Sequence, residues 1–301
     1  MTGPTAVGKT ELSIRWAEQN NAEILSCDSL LFYKGMDIGT AKPSAKERSR
    51  VTHHGIDLVE SCEQFDIGRY LEYSKKVVED IWSREKKVLI TGGSGFYLKS
   101  FFAPVVDTIV IEDSVKNKVD QIFKFEGLDG LVQELKRRNQ GEDFQIDLNN
   151  PRRVIPSLER CIQTGKSIRA LRAEFESSDF PFKETPCCSC LLSRSKSLLH
   201  KRVSKRAQEM LENGLVEEVE KLIELGIKQN PSAANSIGYR ESIEFLENSE
   251  MDEMQLYEKI VTNTNRLIKK QGTWFRTQIQ WDQFVDLDTG VEVVDLLFGS
   301  P

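Results

Sequence analysis

The sequence predicts an α/β fold: a P-loop-containing parallel sheet with covering helices, plus a helical insertion domain. Over the first hundred residues, short apolar runs alternate with amphipathic stretches, which is typical of strands and helices around a parallel sheet. A glycine-rich loop of the phosphate-binding type opens the chain. From about Val106, helical patterns follow one another without a strong strand between them, which indicates an inserted helical segment.

The amino-terminal part contains the alternating pattern. Apolar Leu12, Trp16 and Ala17 recur at helical spacing and predict a helix over Glu11–Gln19. The same reasoning gives, in order, a strand at Ala22–Cys27, a helix at Gln64–Arg84 and a strand at Val88–Thr91. Gly92 and Gly93 end the last of these strands, so a loop is expected there.

The remaining chain is predicted to be mostly helical. Expected helices cover Ser114–Phe125, Leu128–Arg138, Arg152–Thr164, Lys196–Asn213, Val216–Leu225 and Met254–Thr277, with one strand at Cys187–Leu192. Asn150 and Pro151 provide a helix start, while Gly214 and Gly226 stand where helices end. We therefore predict a core at residues 1–108, a helical insertion at 109–184, and the remainder of the core with the carboxyl-terminal helices at 185–301.

Composition restricts the class of protein. The 301 residues are 39% hydrophobic, enough for a sizeable core, and no apolar run approaches the roughly 20 residues of a membrane helix. A net charge of −6 argues against indiscriminate coating of nucleic acid but allows a local basic groove. No secretory signal is visible before Gly3, and six cysteines without framework spacing indicate reduced thiols, so we expect a cytoplasmic protein. Cys187, Cys188 and Cys190 are interpreted as small residues of a strand rather than metal ligands.

The clearest motif is the phosphate-binding loop, which fits the pattern G-x-x-x-x-G-K-[ST] and comprises Gly3, Pro4, Thr5, Ala6, Val7, Gly8, Lys9 and Thr10. Backbone N–H groups of such a loop, with the helix that follows, bind phosphate oxygens of a nucleotide or pyrophosphate. Lys9 supplies a point charge, and the Thr10 hydroxyl is expected to ligate Mg²⁺ or to donate to a phosphate oxygen. Because only Met1 and Thr2 precede Gly3, we expect that the first strand is truncated and that the native chain begins further upstream; the intact mass of the native protein tests this.

Asp28 is the residue that selects the chemistry. It follows the predicted strand Ala22–Cys27 and should lie at the carboxyl edge of the sheet, where α/β folds bind ligands. A carboxylate at this place accepts a proton, positions a nucleophile, pairs with Mg²⁺, or simply caps the next turn. Its position alone leaves these alternatives open.

Several motifs together resemble one family. They are GPTAVGKT at Gly3–Thr10, SCDSLL at Ser26–Leu31, YKGMDIGTAKP at Tyr33–Pro43, GGSGFY at Gly92–Tyr97, IGYR at Ile237–Arg240 and KQGTWFR at Lys270–Arg276. In this order they closely resemble the tRNA dimethylallyltransferases, also called tRNA isopentenyltransferases, of the bacterial type. The similarity extends from residue 3 to about residue 280.

The resemblance implies a reaction and three catalytic residues. A dimethylallyl group would move from dimethylallyl pyrophosphate to N6 of the adenosine directly 3′ of the anticodon, in tRNAs that read codons beginning with U. Asp28 matches the aspartate that orients and deprotonates the amine, Thr10 the P-loop threonine, and Arg202 the arginine that reaches the pyrophosphate. Arg206, one helical turn further, is interpreted as structural or as a helper.

Candidate tRNA contacts come from the same resemblance, which also implies that the helical insertion at 109–184 binds tRNA. They are Asp28, Ser29, Leu30, Leu31, Ser94, Arg152, Arg153, Gly238, Tyr239, Arg240 and Lys270. Pro156 and Asn235 depart from the family pattern at basic positions, and Pro156 is expected to shift the start of its helix. His53 and His54 are assigned packing or capping roles.

Three other classes of protein share some of these features with a tRNA-modifying enzyme. An adenylate isopentenyltransferase shares the P-loop and aspartate, but it needs no RNA-binding insertion of about 75 residues. A small-molecule kinase accounts for Gly3–Thr10 but not for the other motifs. A catalytically impaired RNA-binding remnant is inconsistent with intact Lys9, Thr10, Asp28 and Arg202. The chain is expected to act as a monomer with tRNA, dimethylallyl pyrophosphate and Mg²⁺, away from membranes.

Overall fold

The computed structural model describes residues 1–140, 146–289, 294 and 297–298. The chain divides into two compact units, one formed by Met1–Phe102 with Pro181–Pro301 and the other by Ala103–Phe180. The predicted insertion at 109–184 covers most of the second unit. None of the helices within these described ranges is long and apolar enough to cross a membrane.

The first unit contains two small parallel sheets that meet at Thr2. Strands β1 (Ala22–Ser26), β2 (His53–His54) and β3 (Lys87–Thr91) form one sheet in the order β2-β1-β3, and β4 (Cys190–Ser193) pairs with β5 (Gln283–Asp286) in the other. Thr2 bridges Gly92 on one side and Leu191 on the other, both in parallel. Residues 1 and 2 therefore occupy the strand position ahead of the P-loop, and a longer native chain stays a prediction.

Helices cover both faces of the three-stranded sheet. Those of the first unit are α1 (Lys9–Gln19), α2 (Ala45–Arg50), α3 (Ile67–Ser83), α4 (Gly95–Lys99), α8 (Lys196–Glu212), α9 (Leu215–Glu224), α10 (Pro231–Ala234), α11 (Tyr239–Glu247) and α12 (Glu253–Gln278). One face packs Ile24 and Leu89 with Ile14 and Ala17 of α1. On the opposite face, Leu25 and Cys27 pack into a larger core. The parallel sheet with covering helices confirms the predicted α/β P-loop fold.

The second unit is helical, consisting of α5 (Asp113–Arg138), α6 (Pro151–Thr164) and α7 (Ile168–Ser177). Gly127 has φ 65° and ψ −159°, so α5 is two helices joined by a kink, as the sequence predicted. Val119, Leu131, Val154 and Leu158 form its buried core. The Asn150 side chain caps α6, and Pro156 lies inside the helix. The expected shift of this helix start by Pro156 is therefore wrong.

One strand prediction also needs correction. The strand expected at Cys187–Leu192 begins only at Cys190, because the pairing partner β5 starts opposite it. Cys187 and Cys188 are exposed and lie ahead of the strand, whereas Cys190 is buried. The two histidines have local partners: His53 Nδ1 lies 2.7 Å from the Val51 carbonyl oxygen, and His54 Nε2 lies 2.6 Å from Glu23 Oε2.

Candidate active site

The P-loop forms a turn that ends at the amino terminus of α1. Gly8 has φ 111°, a left-handed conformation that strains residues with a Cβ atom, and α1 begins at Lys9. The Lys9 ammonium folds back over the loop and donates to the carbonyl oxygens of Gly3 at 2.8 Å and Pro4 at 3.1 Å. The loop thus presents a cation and a helix amino terminus to the same space, an arrangement that binds anions.

Two arginines hold the loop from outside. Arg202 Nε donates to the Ala6 carbonyl oxygen at 2.6 Å, and Arg194 Nε donates to the Val7 carbonyl oxygen at 2.7 Å.

Burial lowers the pKa of Lys9 to about 8, an effect that the charge of Asp28 opposes and that of Arg206 reinforces. The site is therefore electropositive before any phosphate binds, and a phosphate would relieve the mutual repulsion of these cations.

Asp28 lies directly after β1, at the edge that the sequence predicted. Its Oδ1 accepts the Leu30 amide at 3.2 Å, so the carboxylate does cap the next turn. Gly92 passes so close that a Cβ atom there would be 2.0 Å from the Cys27 carbonyl oxygen. A Cβ built on Gly93 would lie 3.5 Å from Asp28 Oδ2 and 3.9 Å from Lys9 Nζ. The glycine at position 92 therefore allows close backbone packing against Cys27, and the one at position 93 leaves the space beside the carboxylate open.

Two cavities adjoin at this carboxylate. The P-loop cavity, of about 580 Å³, is lined by Ala6, Gly8, Lys9, Thr10 and Arg202 among others. The α12 cavity, of about 550 Å³, is lined by apolar and aromatic groups, including Leu30, Val203, Trp274 and Phe275. Four residues line both cavities: Thr5, Asp28, Thr40 and Arg206. An anionic group in the first cavity and a planar or apolar group in the second would therefore meet beside Asp28.

Most of the other predicted residues of the first unit line one of these cavities. Ser29, Leu30, Ser94, Gly238, Lys270 and the departure Asn235 line the α12 cavity, and Leu31 lines the P-loop cavity. Ser94 Oγ accepts the Ser29 amide at 3.0 Å and lies 3.2 Å from Ser29 Oγ. Gly3, Pro4 and Val7 shape the loop without being among the cavity-lining residues.

Four predicted tRNA contacts lie elsewhere. Tyr239 is fully buried and its hydroxyl donates to Glu218 Oε1 at 2.6 Å, and its contact with tRNA stays a prediction. Arg240 is exposed, pairs with Glu241 and lines a polar groove between α11 and α12. Arg152 and Arg153 are exposed on α6 of the second unit.

Sequence reasoning assigned no role to three residues that hold the site together, Gln271, Thr40 and Glu218. Gln271 on α12 accepts the Thr5 amide at 2.9 Å and donates to the Gly93 carbonyl oxygen at 3.0 Å, which ties the P-loop to the Gly92–Tyr97 segment. Arg206 donates to the Thr40 carbonyl oxygen at 3.0 Å, and burial lowers its pKa. Thr40 lies in the motif Tyr33–Pro43 and Gln271 in the motif Lys270–Arg276, so both could have been predicted as residues of the site. Nothing in the sequence marked Glu218.

A P-loop on a parallel sheet, with a carboxylate at the strand end and cations around it, defines a P-loop α/β enzyme that acts on a phosphorylated substrate. The family described as IPP transferase matches residues 31–278. The chain belongs to this family. The matched span begins after the P-loop and Asp28.

Curated relatives and solved structures agree with this assignment. The chain is 43% identical over 286 residues to the tRNA dimethylallyltransferase of Opitutus terrae, covering 95% of this chain and 92% of that one. It is 36% identical to the Chlamydia muridarum enzyme of the same name, covering 92% and 88%. A eukaryotic dimethylallyltransferase acting on tRNA superposes with a TM-score of 0.81 at 26% identity, covering 95% and 72%. The Staphylococcus epidermidis tRNA isopentenylpyrophosphate transferase gives 0.67 at 27% identity, covering 98% and 95%.

Proposed function

We propose that this enzyme transfers a dimethylallyl group from dimethylallyl pyrophosphate to N6 of the adenosine directly 3′ of the anticodon, in tRNAs that read codons beginning with U. The curated relatives are tRNA dimethylallyltransferases, which supports a prenyl transfer to tRNA. The observation that carries the proposal is the meeting of the two cavities at Asp28. One cavity offers cations for a pyrophosphate, and the other offers aromatic walls for a base.

The position of Asp28 supports its role as the general base of this reaction. In the proposed step, the N6 nitrogen attacks C1 of the dimethylallyl group, the C1–O bond breaks, and the pyrophosphate leaves with the bonding electrons. The amine proton passes to the Asp28 carboxylate, which lies at the junction between the two substrates. A general base in such a position contributes roughly 10² to 10⁴ in rate.

The cations of the P-loop cavity act on the leaving group. Lys9, Arg202 and Arg206 surround the space above the loop, and each provides N–H donors to an oxyanion. Their positive charge stabilises the pyrophosphate as its charge develops during C1–O cleavage. Because Arg202 and Arg206 are tied to the Ala6 and Thr40 carbonyl oxygens, they are oriented before the substrate binds.

The donor set of the loop fits Mg²⁺. The Thr10 hydroxyl lines the P-loop cavity, and no group of three or more His, Cys, Asp or Glu side chains in the described ranges is arranged to hold a metal. Mg²⁺ is often held by few protein oxygens together with substrate phosphates, so Thr10 is the residue that would hold it. When bound, the ion would neutralise charge on the leaving pyrophosphate.

A direct assay tests the proposal. The protein is incubated with dimethylallyl pyrophosphate, Mg²⁺ and either unmodified tRNA or AMP, and the nucleosides are identified by mass spectrometry. We expect prenylated tRNA, lost by at least about 10²-fold in Asp28→Asn and Asp28→Ala, and retained in Asp80→Asn, which alters an exposed carboxylate paired with Arg84. Product on AMP alone would instead identify an adenylate isopentenyltransferase, and no product at all would indicate a remnant. The same proposal includes a monomeric enzyme in the cytoplasm.

A further inference from the structure

Two buried hydroxyls lie side by side at the carboxyl end of the sheet. Ser26 ends β1 and Thr91 ends β3, and the two residues are register partners in the parallel pair. Ser26 is 4% exposed. Within the described part of the chain, neither Ser26 Oγ nor Thr91 Oγ1 has a hydrogen-bond partner. An unpaired buried hydroxyl costs about 1–3 kcal/mol, so two adjacent ones call for a ligand or water that satisfies them.

The alternation of the strands fixes the face on which these hydroxyls lie. Successive strand residues point to opposite faces, so Ser26 shares a face with Ile24, and Thr91 with Leu89. Ile24 and Leu89 pack in the core that includes Ile14 of α1. The two hydroxyls therefore lie on the α1 side, and both residues line the P-loop cavity with Lys9, Thr10 and Asp28.

The chemistry of the hydroxyls matches hydrated Mg²⁺. Mg²⁺ keeps several of its water molecules in protein sites, and a coordinated water is a hydrogen-bond donor that needs neutral or anionic acceptors nearby. A hydroxyl is such an acceptor, and it adds no charge to a site that must also accommodate pyrophosphate. The ends of β1 and β3 thus supply acceptors at a place where a second carboxylate would repel the substrate.

We propose that Ser26 and Thr91 belong to the outer coordination shell of a magnesium ion and accept hydrogen bonds from its water molecules. Thr10 would hold this ion together with the pyrophosphate. The inference rests on the proposed function for the identity of the anion. It assigns Ser26 and Thr91 as positioning residues that act through water, without contact to the reacting atoms.

The test measures binding rather than turnover. Inorganic pyrophosphate is titrated calorimetrically into the full chain at a series of free Mg²⁺ concentrations and also in EDTA. In Ser26→Ala and Thr91→Val we expect the Mg²⁺ concentration for half-maximal enhancement of binding to rise about tenfold, a typical effect of losing an outer-shell partner. The affinity in EDTA should stay within about twofold of wild type. Thr91→Ser keeps the hydroxyl and should restore the Mg²⁺ dependence.

Ser242 provides the matched control. It is fully buried on α11, its hydroxyl also has no partner among the described residues, and it is not among the residues lining the P-loop cavity. Ser242→Ala should leave the Mg²⁺ dependence unchanged. Thermal unfolding without metal checks that each variant is folded.

Three outcomes would overturn the inference. The first is unchanged Mg²⁺ dependence in both Ser26→Ala and Thr91→Val, and the second is an equal loss of affinity with and without Mg²⁺ in these variants. A wild-type chain that prenylates tRNA but binds pyrophosphate equally well in Mg²⁺ and EDTA would also refute it, while leaving the proposed function intact.

Discussion

The carboxylate of Glu218 anchors the loop that closes one wall of the site. Its Oε2 accepts the amides of Asp37 at 3.0 Å and Ile38 at 2.8 Å, and its Oε1 accepts the Gly39 amide at 3.3 Å and the Tyr239 hydroxyl at 2.6 Å. The next residue, Thr40, offers its carbonyl oxygen to Arg206. A change at Glu218 is therefore transmitted to a cation of the P-loop cavity.

We predict that Glu218→Gln destabilises both the fold and the site. A glutamine amide keeps one oxygen and replaces the other with an NH₂ group, so two of the four accepted hydrogen bonds are lost. Hydrogen bonds to charged groups contribute about 1.5–3 kcal/mol each, and two at the lower figure amount to about 3 kcal/mol. Tyr239→Phe removes only one donor and should cost about half as much.

Urea unfolding and single-turnover prenyl transfer measure the two effects. At urea concentrations where the variant is fully folded, we expect the transfer rate to fall by roughly 10- to 100-fold, because displacement of a group by about 1 Å costs up to 10²-fold. Glu217→Gln is the control, since Glu217 is the exposed neighbour on the same helix. The reasoning fails if Glu218→Gln loses less than about 0.5 kcal/mol, or if a clearly destabilised but folded variant reacts at the wild-type rate.

Three further predictions follow from contacts around the sheet. Gln271→Ala should lower the prenyl-transfer rate about tenfold or more, because it removes the link between Thr5 and Gly93, whereas Gln278→Ala on the same helix should not. Equal rates for the two variants in a rapid-quench assay would contradict this role of Gln271. The Lys9 pKa of about 8 means that its charge is lost as the pH rises through 8, so pyrophosphate affinity should fall between pH 7 and 9.5 by calorimetry, with proton uptake on binding, and Lys9→Arg should flatten this profile. For Glu23, burial raises the pKa, but hydrogen bonds from His54, Lys86 and Arg84 outweigh it and lower the pKa from 4.5 to about 2. Its stabilisation, about 3 kcal/mol at 1.36 kcal/mol per pH unit, is present above pH 4.5 and lost as the pH falls towards 2; urea unfolding of Glu23→Gln should lack this acid limb.

Local patterns were sufficient to predict the elements that position the site. Strand β1 ends one residue before the predicted Cys27, and α1 follows the P-loop as expected. These elements depend on apolar spacing, glycine placement and helix ends, all of which are contained in neighbouring residues. Asp28 could be placed at the sheet edge for the same reason, because a residue that follows a parallel strand must emerge there.

The residues that hold the site could not be predicted from such patterns. The bond between Thr5 and Gln271 spans 266 positions, and those between Glu218 and the Asp37–Gly39 amides span about 180. Arg206 is predicted only to be structural or a helper. Its spacing from Arg202 indicates which face of the helix it occupies, but not which residues pack against that face. Likewise, the start of β4 is set by its pairing with Gln283 in β5, which carried no strand signal of its own.

The pairing of Thr2 with both sheets has a consequence for synthesis on the ribosome. Thr2 needs Gly92 and Leu191 as neighbours, and the adjoining P-loop needs Gln271, so this segment waits for partners that are made much later. The segment Ala103–Phe180 has its own core and can close on nearby contacts much sooner. The residues around Thr2 therefore stay unpaired on one side until Leu191 has emerged, and this is the interval in which a nascent chain of this fold is most exposed to aggregation and to chaperones.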